Sequence, residues 1–423
     1  MLIMVLVILV LILAGVPVSF SMLAGSLAYF ITSGTSMNIL VQQMVVQMSG
    51  SFSLLAIPFF MLAGNIMNRG GVSNRIFKFC DSLVGRIPGG LAHANVVASV
   101  IFAGMSGSAI ADTGGLGAIE LKAMKDGGYD EPFSCAITGM SSCLGPIIPP
   151  SIGLVLYGMM AEVPVIQLFA AGITPGIAMA LVMCIIVYFT AKKRHYPLSR
   201  KYTGGERWKI FKEAFFSLMS PVILLLGTLT GVFSATEASV VCCVYSLILG
   251  FAYKEITLKD LPGLFLSTLR STAMIMTLVC CSLVFGSILT YEYFPQTVAI
   301  FFTNHVNTVV GTMMVMTLIQ LIAGMFMDVT ASALILIPVF VPICRALNID
   351  MVSFGILSSL AGVIGLTTPP VGSILYVLED FSGVPMLRIA KEMVPYYIGF
   401  LFLMMMMILF PQMASGLPNL LFS

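Results

Sequence analysis

Apolar runs of membrane-spanning length alternate with short polar loops along this chain, and four of the runs are interrupted from within. Residues 1–14 form the first run, Val16-Pro17 breaks it, and runs at 18–33 and 52–68 follow. Stretches approaching 20 apolar residues are long enough to cross a bilayer, so the pattern predicts an all-α, multi-pass protein. A run beginning near Val96 is cut by Gly104-Met105-Ser106-Gly107-Ser108, and one beginning near Phe133 by Gly145-Pro146-Ile147-Ile148-Pro149-Pro150-Ser151. Gly and Pro at this density do not continue a helix. Lipid offers no partner to the freed N–H and C=O groups, so irregular backbone at membrane depth is buried in protein or lines a polar cavity. A broken helix therefore points to a binding site.

The interruptions recur at a constant offset of 220 residues. Ala103-Gly104-Met105 returns as Ala323-Gly324-Met325, Gly145 matches Gly365, Pro149-Pro150 match Pro369-Pro370, and Pro175 matches Pro395. Each match falls on the same kind of object: a hairpin tip, a helix break, then the start of a long apolar helix. Paired interrupted segments in two halves are the pointer to a secondary transporter with its site at the repeat interface. From Gly90 the chain enters the membrane, turns at the first break and is back in water by 122–128, a re-entrant hairpin. Residues 133–160 then cross with a break at their middle, and 168–190 return. Five crossings and one hairpin make the second half inverted: 217–233, 236–252 and 264–289 cross, a second hairpin runs from Asn307 to Asn348 with its tip at 324–330, then 353–380 and 395–412 cross. Both termini fall outside.

The expected divisions are scaffold helices and an interfacial arm at 1–87, the first hairpin and broken helix at 88–166, the next crossing, basic loop and scaffold helices at 167–305, the second hairpin and broken helix at 306–386, and a final crossing at 387–423. The arm, 69–87, places Ile76, Phe77, Phe79, Leu83 and Val84 among its charges and reads as an amphipathic interfacial helix.

Composition adds sidedness. The chain is 59% hydrophobic and 9% charged, against about a quarter charged in soluble domains. Short basic loops stay in the cytoplasm. Arg69, Arg75, Lys78 and Arg86 form one cluster; Lys192, Lys193, Arg194, Arg200, Lys201, Arg207, Lys209 and Lys212 form another. With Lys122, Lys125, Lys254, Lys259, Arg388 and Lys391 on the same side, only Arg270 and Arg345 of the 20 cations lie elsewhere. The first fourteen residues carry no basic region and no small-residue cleavage site, so they read as a retained membrane helix. The nine cysteines lack C-x-x-C spacing and read as small buried hydrophobes.

Chemistry concentrates at the breaks. Near the first tip are Ser106, Ser108 and Asp112, and near the second Asp328, Thr330 and Ser332. A carboxylate in a membrane helix costs about 2.5–3.5 kcal/mol on insertion scales, which confines it to an interior or wet site. The plainer reading is that Ser108 and Asp328 cap the returning half-helices, which is compatible with ion binding. Ser141, Ser142 and Gly145 precede the first prolines, and Thr367 and Thr368 the second. Unwound carbonyls and hydroxyls there suit a hard monovalent cation such as Na⁺, and the next helix N-termini suit a carboxylate; the plainer reading is packing kinks. Glu237 follows Ser234 with capping-box spacing, and His93, His195 and His305 read as structural. The chain has no G-x-x-x-x-G-K-[ST], which excludes a P-loop nucleotidase. Gly104-Met105-Ser106-Gly107 matches the short serine motif of intramembrane proteases, but no histidine base follows at membrane depth. The chain reads as a non-enzyme.

GMSGSAIADTGGLG, GYDEPF, GPIIPPSIGLVLYG, TEAS and GLTTPPVG together resemble the large permease subunit (DctM/SiaM-type) of the tripartite ATP-independent periplasmic, or TRAP, transporters, over essentially the whole length. The resemblance implies an elevator-type symporter of the bacterial inner membrane, coupled to Na⁺, with a separate small four-helix permease subunit and a periplasmic binding protein delivering an organic acid of the sialic acid or C4-dicarboxylate class, and no nucleic-acid partner. Mapped by position, it implies a first Na⁺ site at Ser106, Ser108, Ser142 and Gly145 and a second at Gly324, Asp328, Thr330, Gly365 and Thr368. Substrate would lie among Ser106, Asp112, Pro149, Ser151, Asp328, Thr367 and Pro370. A stand-alone ion channel or cation/proton exchanger is the alternative from another class.

Overall fold

The computed structural model describes residues 1–422 except 35, 200, 295–296, 299 and 301–307, so Arg200, His305 and the start of the second hairpin at Asn307 lie outside the described residues. Helices account for every regular element among those described, and eight are long and apolar enough to cross a membrane by length and composition.

The first helices are α1 (Leu2–Leu13), α2 (Val18–Ser33), α3 (Met37–Gly50) and α4 (Ala56–Arg69), the last entered through a 3₁₀ turn at Phe52–Leu55. Hydropathy had not singled out α3, whose sequence MNILVQQMVVQMSG mixes amides with apolar residues. The arm is α5 (Val72–Val84), which buries Val72, Ile76, Phe77 and Cys80 and leaves Asn74 and Lys78 exposed. It lies between α6 (Gly90–Ser106) and α12 (Gly204–Leu229) and touches both.

The first hairpin pairs α6 with α7 (Ala109–Gly114) and α8 (Leu116–Asp126). The first broken crossing is α9 (Glu131–Ser142) and α10 (Ile152–Ala161), followed by α11 (Val165–Arg194). After α12 come α13 (Ala235–Ala252) and α14 (Leu261–Tyr291). The second hairpin is α15 (Val309–Phe326) and α16 (Val329–Ala346). The second broken crossing is α17 (Met351–Leu366) and α18 (Ser373–Ser382), followed by α19 (Met386–Leu409) and α20 (Gln412–Phe422). Helix α20 was not foreseen, and Pro175 and Pro395 sit well inside α11 and α19 rather than at their starts. The breaks are also narrower than the glycines suggest. Helix α6 runs through Gly104 to Ser106, α15 through Gly324 to Phe326, and α17 through Gly365 to Leu366.

Packing interlocks the two sets. The second half of each broken crossing lies against a hairpin helix of the other set, α10 on α16 and α18 on α7. Helices α4 and α13 pair, and α14 packs against α2, α3, α4 and α16. The ion pairs fall into two groups. On one face, Arg69 meets Asp260 at 2.5 Å, Arg75 lies 3.8 Å from Glu255, Lys125 meets Glu131 at 2.5 Å, and Arg194 joins Glu392 at 2.7 Å and Asp130 at 3.4 Å. On the opposite face Arg345 pairs with Glu162 at 2.7 Å. Each pair joins residues that the distribution of positive charge assigns to one side. Arg270 is exposed on α14. All nine cysteines are free, seven of them buried.

Candidate functional site

The first tip is a change of helix direction at two residues. Gly107 takes φ 65°, a left-handed conformation that favours glycine, and Ser108 caps α7 by accepting from the Ala111 amide at 3.4 Å. A Cβ on Gly107 would lie 2.6 Å from the Pro150 carbonyl oxygen, so the tip rests directly on the first crossing's break. That break, residues 143–151, is wholly buried. Pro149-Pro150 is a cis peptide. Ser151 caps α10, accepting from the Leu154 amide at 3.2 Å and donating to the Pro146 carbonyl at 2.7 Å.

Asp112 lies one turn behind the tip and is 2% exposed. The Ser106 hydroxyl donates to its Oδ1, and its Oδ2 has no partner among the described residues. A Cβ on Gly145 would stand 2.5 Å from that Oδ2 and 3.3 Å from the Ser108 carbonyl carbon. Ser106, Ser108, Asp112 and Gly145 are thus in mutual contact around a buried carboxylate oxygen with nothing to bind. Ser142 is one turn away, and its hydroxyl donates to the Thr138 carbonyl at 2.8 Å. Asn95 ties this region together, donating to Thr138 and accepting from Ser141.

The second tip is built differently. Met327 is extended (φ −144°, ψ 162°), and Asp328 caps α16 through Oδ2, which accepts from the Thr330 amide at 2.9 Å. Gly324 and Gly365 bring α15 and α17 into backbone contact, since a Cβ on Gly365 would lie 2.6 Å from the Gly324 carbonyl carbon. The second crossing's break is tied to the tip by Gly372 N–H donating to the Met325 carbonyl at 3.1 Å. Pro369-Pro370 is also cis, and Pro370 is exposed. Thr367 and Thr368 both donate to the Ile364 carbonyl, at 2.8 and 2.7 Å. The Thr367 carbonyl in turn accepts from the Tyr397 hydroxyl. Ser332, fully buried, accepts from the Gln320 amide at 2.9 Å.

Both tips open on one cavity of about 780 Å³, which Ser106, Ser108, Asp328 and Thr330 line together. Of the other sequence-derived candidates, Asp112, Ser142, Gly145, Pro149, Ser151, Gly324, Gly365, Thr367, Thr368 and Pro370 stand behind this lining rather than on it. Opposite the tips, Met61, Asn65 and Asn68 of α4 and Ser271, Met274 and Thr277 of α14 complete the wall. Sequence reasoning missed these residues. The one available signal was an amide, Asn65, in an otherwise apolar run; it donates to Thr268 at 2.9 Å. Among the described residues Asp328 is the single charged side chain in the lining, and no Lys or Arg contributes to it. Among the described residues no three His, Cys, Asp or Glu side chains come together. Glu237, by contrast, closes a capping box with Ser234, as its spacing predicts.

Broken helices meeting around a central cavity in a multi-pass helical bundle define a membrane transporter fold. The chain shares its fold with the YdaH transporter of Alcanivorax borkumensis, at TM-score 0.66 and 13% identity, with 88% of each chain covered. Residues 5–413 match the family "Tripartite ATP-independent periplasmic transporter, DctM component", and the chain belongs to it. This is a transporter family, not an enzyme class. The chain is 38% identical over 409 residues to the sialic acid TRAP transporter large permease protein SiaM of Vibrio cholerae, covering 96% of both. It is 36% identical to the sialic acid TRAP transporter permease protein SiaT of Haemophilus influenzae, covering 96% of this chain and 66% of that one, so it spans about two thirds of that relative. Identity to the C4-dicarboxylate TRAP transporter large permease protein DctM of Pseudomonas aeruginosa is 34% over 398 residues, covering 94% and 93%.

Proposed function

We propose that this permease imports an organic acid across the bacterial inner membrane together with Na⁺, by elevator-type movement of two inverted repeats, with a small permease subunit and a periplasmic binding protein as partners. The observation that carries the reading is electrostatic. An organic anion in a cavity whose lining holds one carboxylate and no basic side chain needs positive charge from elsewhere. The N-termini of α7, α10 and α16 at the cavity supply part of it, and co-bound cations supply the rest. Ser106, Ser108, Asp112 and Gly145 offer the oxygen-rich, partly unpaired set that a hard monovalent cation takes. Asp328, with Oδ1 free of capping, and Thr330 offer a second set at the other tip, with Gly324, Gly365 and Thr368 behind it. Each positive charge moving inward gains about 2.3 kcal/mol per 100 mV, so cations in excess of the substrate's charge drive accumulation.

Within the family's named substrates, relatives of sialic acid transporters at 36–38% identity favour a sugar acid over a C4-dicarboxylate. The test is uptake into proteoliposomes holding both permease subunits, with the cognate binding protein outside. Uptake of the sugar acid that requires an inward Na⁺ gradient is expected. Undiminished uptake without Na⁺ overturns the coupling. Conductance in the absence of the binding protein would mark a channel, and vesicle acidification without any organic acid an exchanger.

A further inference from the structure

Arm helix α5 and the start of α12 enclose a polar pocket of about 190 Å³ on the basic face, away from the central cavity, lined by Asn74, Arg75, Lys78, Ile210, Glu213 and Glu255 among others. Arg75 is fixed there. Its guanidinium stacks 3.8 Å from the Tyr253 ring centroid, donates to the Gly71 carbonyl at 3.0 Å and faces Glu255 at 3.8 Å. Lys78 and Glu213 line the same pocket with opposite charges, yet neither enters an ion pair among the described residues. Lys78 and Glu213 therefore face the space unpaired, beside the loosely paired Arg75 and Glu255.

The pocket's depth identifies what can enter it. Glu213 is the last charged residue of α12, since 214–229 carries none. Trp208, the chain's one tryptophan, lies just over a turn earlier, 59% exposed, with the Lys212 ammonium 5.5 Å from its ring centroid. Exposed tryptophan beside lysine, at the edge of an apolar span, marks the headgroup layer. Phe216, one turn further along the same helix from Glu213, is exposed and gives an acyl chain an apolar side chain to lie against.

We propose that this pocket binds the headgroup of a zwitterionic phospholipid bearing a primary ammonium, its phosphate on Lys78 and Arg75 and its ammonium on Glu213 and Glu255. A purely anionic headgroup would set its phosphate among two carboxylates with no cation of its own to satisfy them. A trimethylated ammonium has no N–H to donate to either carboxylate. The bound lipid joins α5, which packs on the first hairpin's α6, to α12, and so acts as a clasp between the arm and its neighbour.

The experiment titrates the purified full chain in detergent with dioleoyl phosphatidylethanolamine, its N-methyl and N,N-dimethyl forms, phosphatidylcholine and phosphatidylglycerol, reading retained lipid by native mass spectrometry and melting temperature in parallel. Phosphatidylethanolamine is expected to bind roughly tenfold more tightly than phosphatidylcholine, the loss of a charge-assisted hydrogen bond, with a graded fall along the methylation series. Glu213→Gln should bring phosphatidylethanolamine down to the phosphatidylcholine level and Lys78→Gln should weaken both lipids alike, neither lowering the lipid-free melting temperature, because both side chains are exposed. Equal binding of the amine and choline lipids overturns the proposal. So does phosphatidylglycerol binding as tightly as phosphatidylethanolamine, or a preference that survives Glu213→Gln. The methylation series needs no variant and decides the matter even if a substitution fails to fold.

Discussion

The two hairpin tips occupy matching places in the chain, yet they carry their acids differently. At the first, Asp112 is sealed behind the tip, held by Ser106 and left with an unpaired oxygen against Gly145. At the second, Asp328 sits on the break itself, faces the cavity and spends one oxygen on the Thr330 amide. The surrounding glycines differ in the same sense. Gly145 makes room for a carboxylate, whereas Gly365 makes room for another backbone. The first region is organised around an unmet charge, and the second around close helix packing with a charge at its rim.

Substitutions can break that contrast. The largest effect is expected for Gly365→Ala, whose added methyl meets the Gly324 backbone and the Leu321 carbonyl at 2.6 Å. Overpacking of this kind costs about 1–3 kcal/mol or more, so the melting temperature and folded yield should drop with or without Na⁺. Gly145→Ala meets a side-chain oxygen instead, and should fold while losing the Na⁺-dependent rise in melting temperature. Equal destabilisation of the two variants would erase the distinction between the regions.

Next comes Asp112→Asn. Removing a buried, half-paired charge should leave the Na⁺-free melting temperature unchanged or raised, while uptake falls roughly ten- to a hundredfold, the equivalent of about 1.5–3 kcal/mol for bonds to a charged group. A variant that melts lower without Na⁺ and transports normally would show Asp112 to be structural. Asp328→Asn should do less. Asn caps a helix about as well as Asp, so folding is retained and the half-saturating Na⁺ concentration in uptake assays rises severalfold; an unchanged Na⁺ dependence would remove this residue from the second site.

The smallest effect is at the surface. The Thr257 hydroxyl and amide, with Arg69, hold the Asp260 carboxyl down to about 2 from its usual 3.8. A depressed folded pKa gives stability that is present above the unfolded value and lost as pH falls through the folded one. Melting temperatures of the wild type and Asp260→Asn should therefore differ slightly at pH 6 and converge as the pH approaches 2. Exposed pairs contribute little, and a large difference would contradict the exposure of this site.

The breaks were legible in the sequence because Gly and Pro clusters have no other reading at membrane depth. Ser108 and Asp328 were accordingly placed at helix starts, where the structure has them. Three things were not legible. The sequence of α3 has no charge and no strong apolar period to separate it from a loop, and α20 contains Gly416 and Pro418. The cavity's far wall is assembled from α4 and α14, some 200 residues apart, so Asn65 and Thr277 meet only in the fold. Nor could spacing reveal that Ser142, Thr367 and Thr368 would turn their hydroxyls back onto carbonyls of their own helices.

The ion pairs on the two faces have a mechanical corollary. Lys125–Glu131 fastens the first hairpin to the first broken crossing, Arg345–Glu162 fastens the second hairpin to the end of that crossing, Arg194–Glu392 joins α11 to α19, and Arg69–Asp260 fastens α4 to the start of α14. The longer Arg75–Glu255 contact ties α5 to the turn after α13. Charge thus rivets neighbouring helices at their ends, whereas α14 meets the second hairpin through a buried neutral bond, the Ser282 hydroxyl donating to the Leu334 carbonyl. Salt that screens those rivets would loosen the helix ends and leave the buried bond untouched.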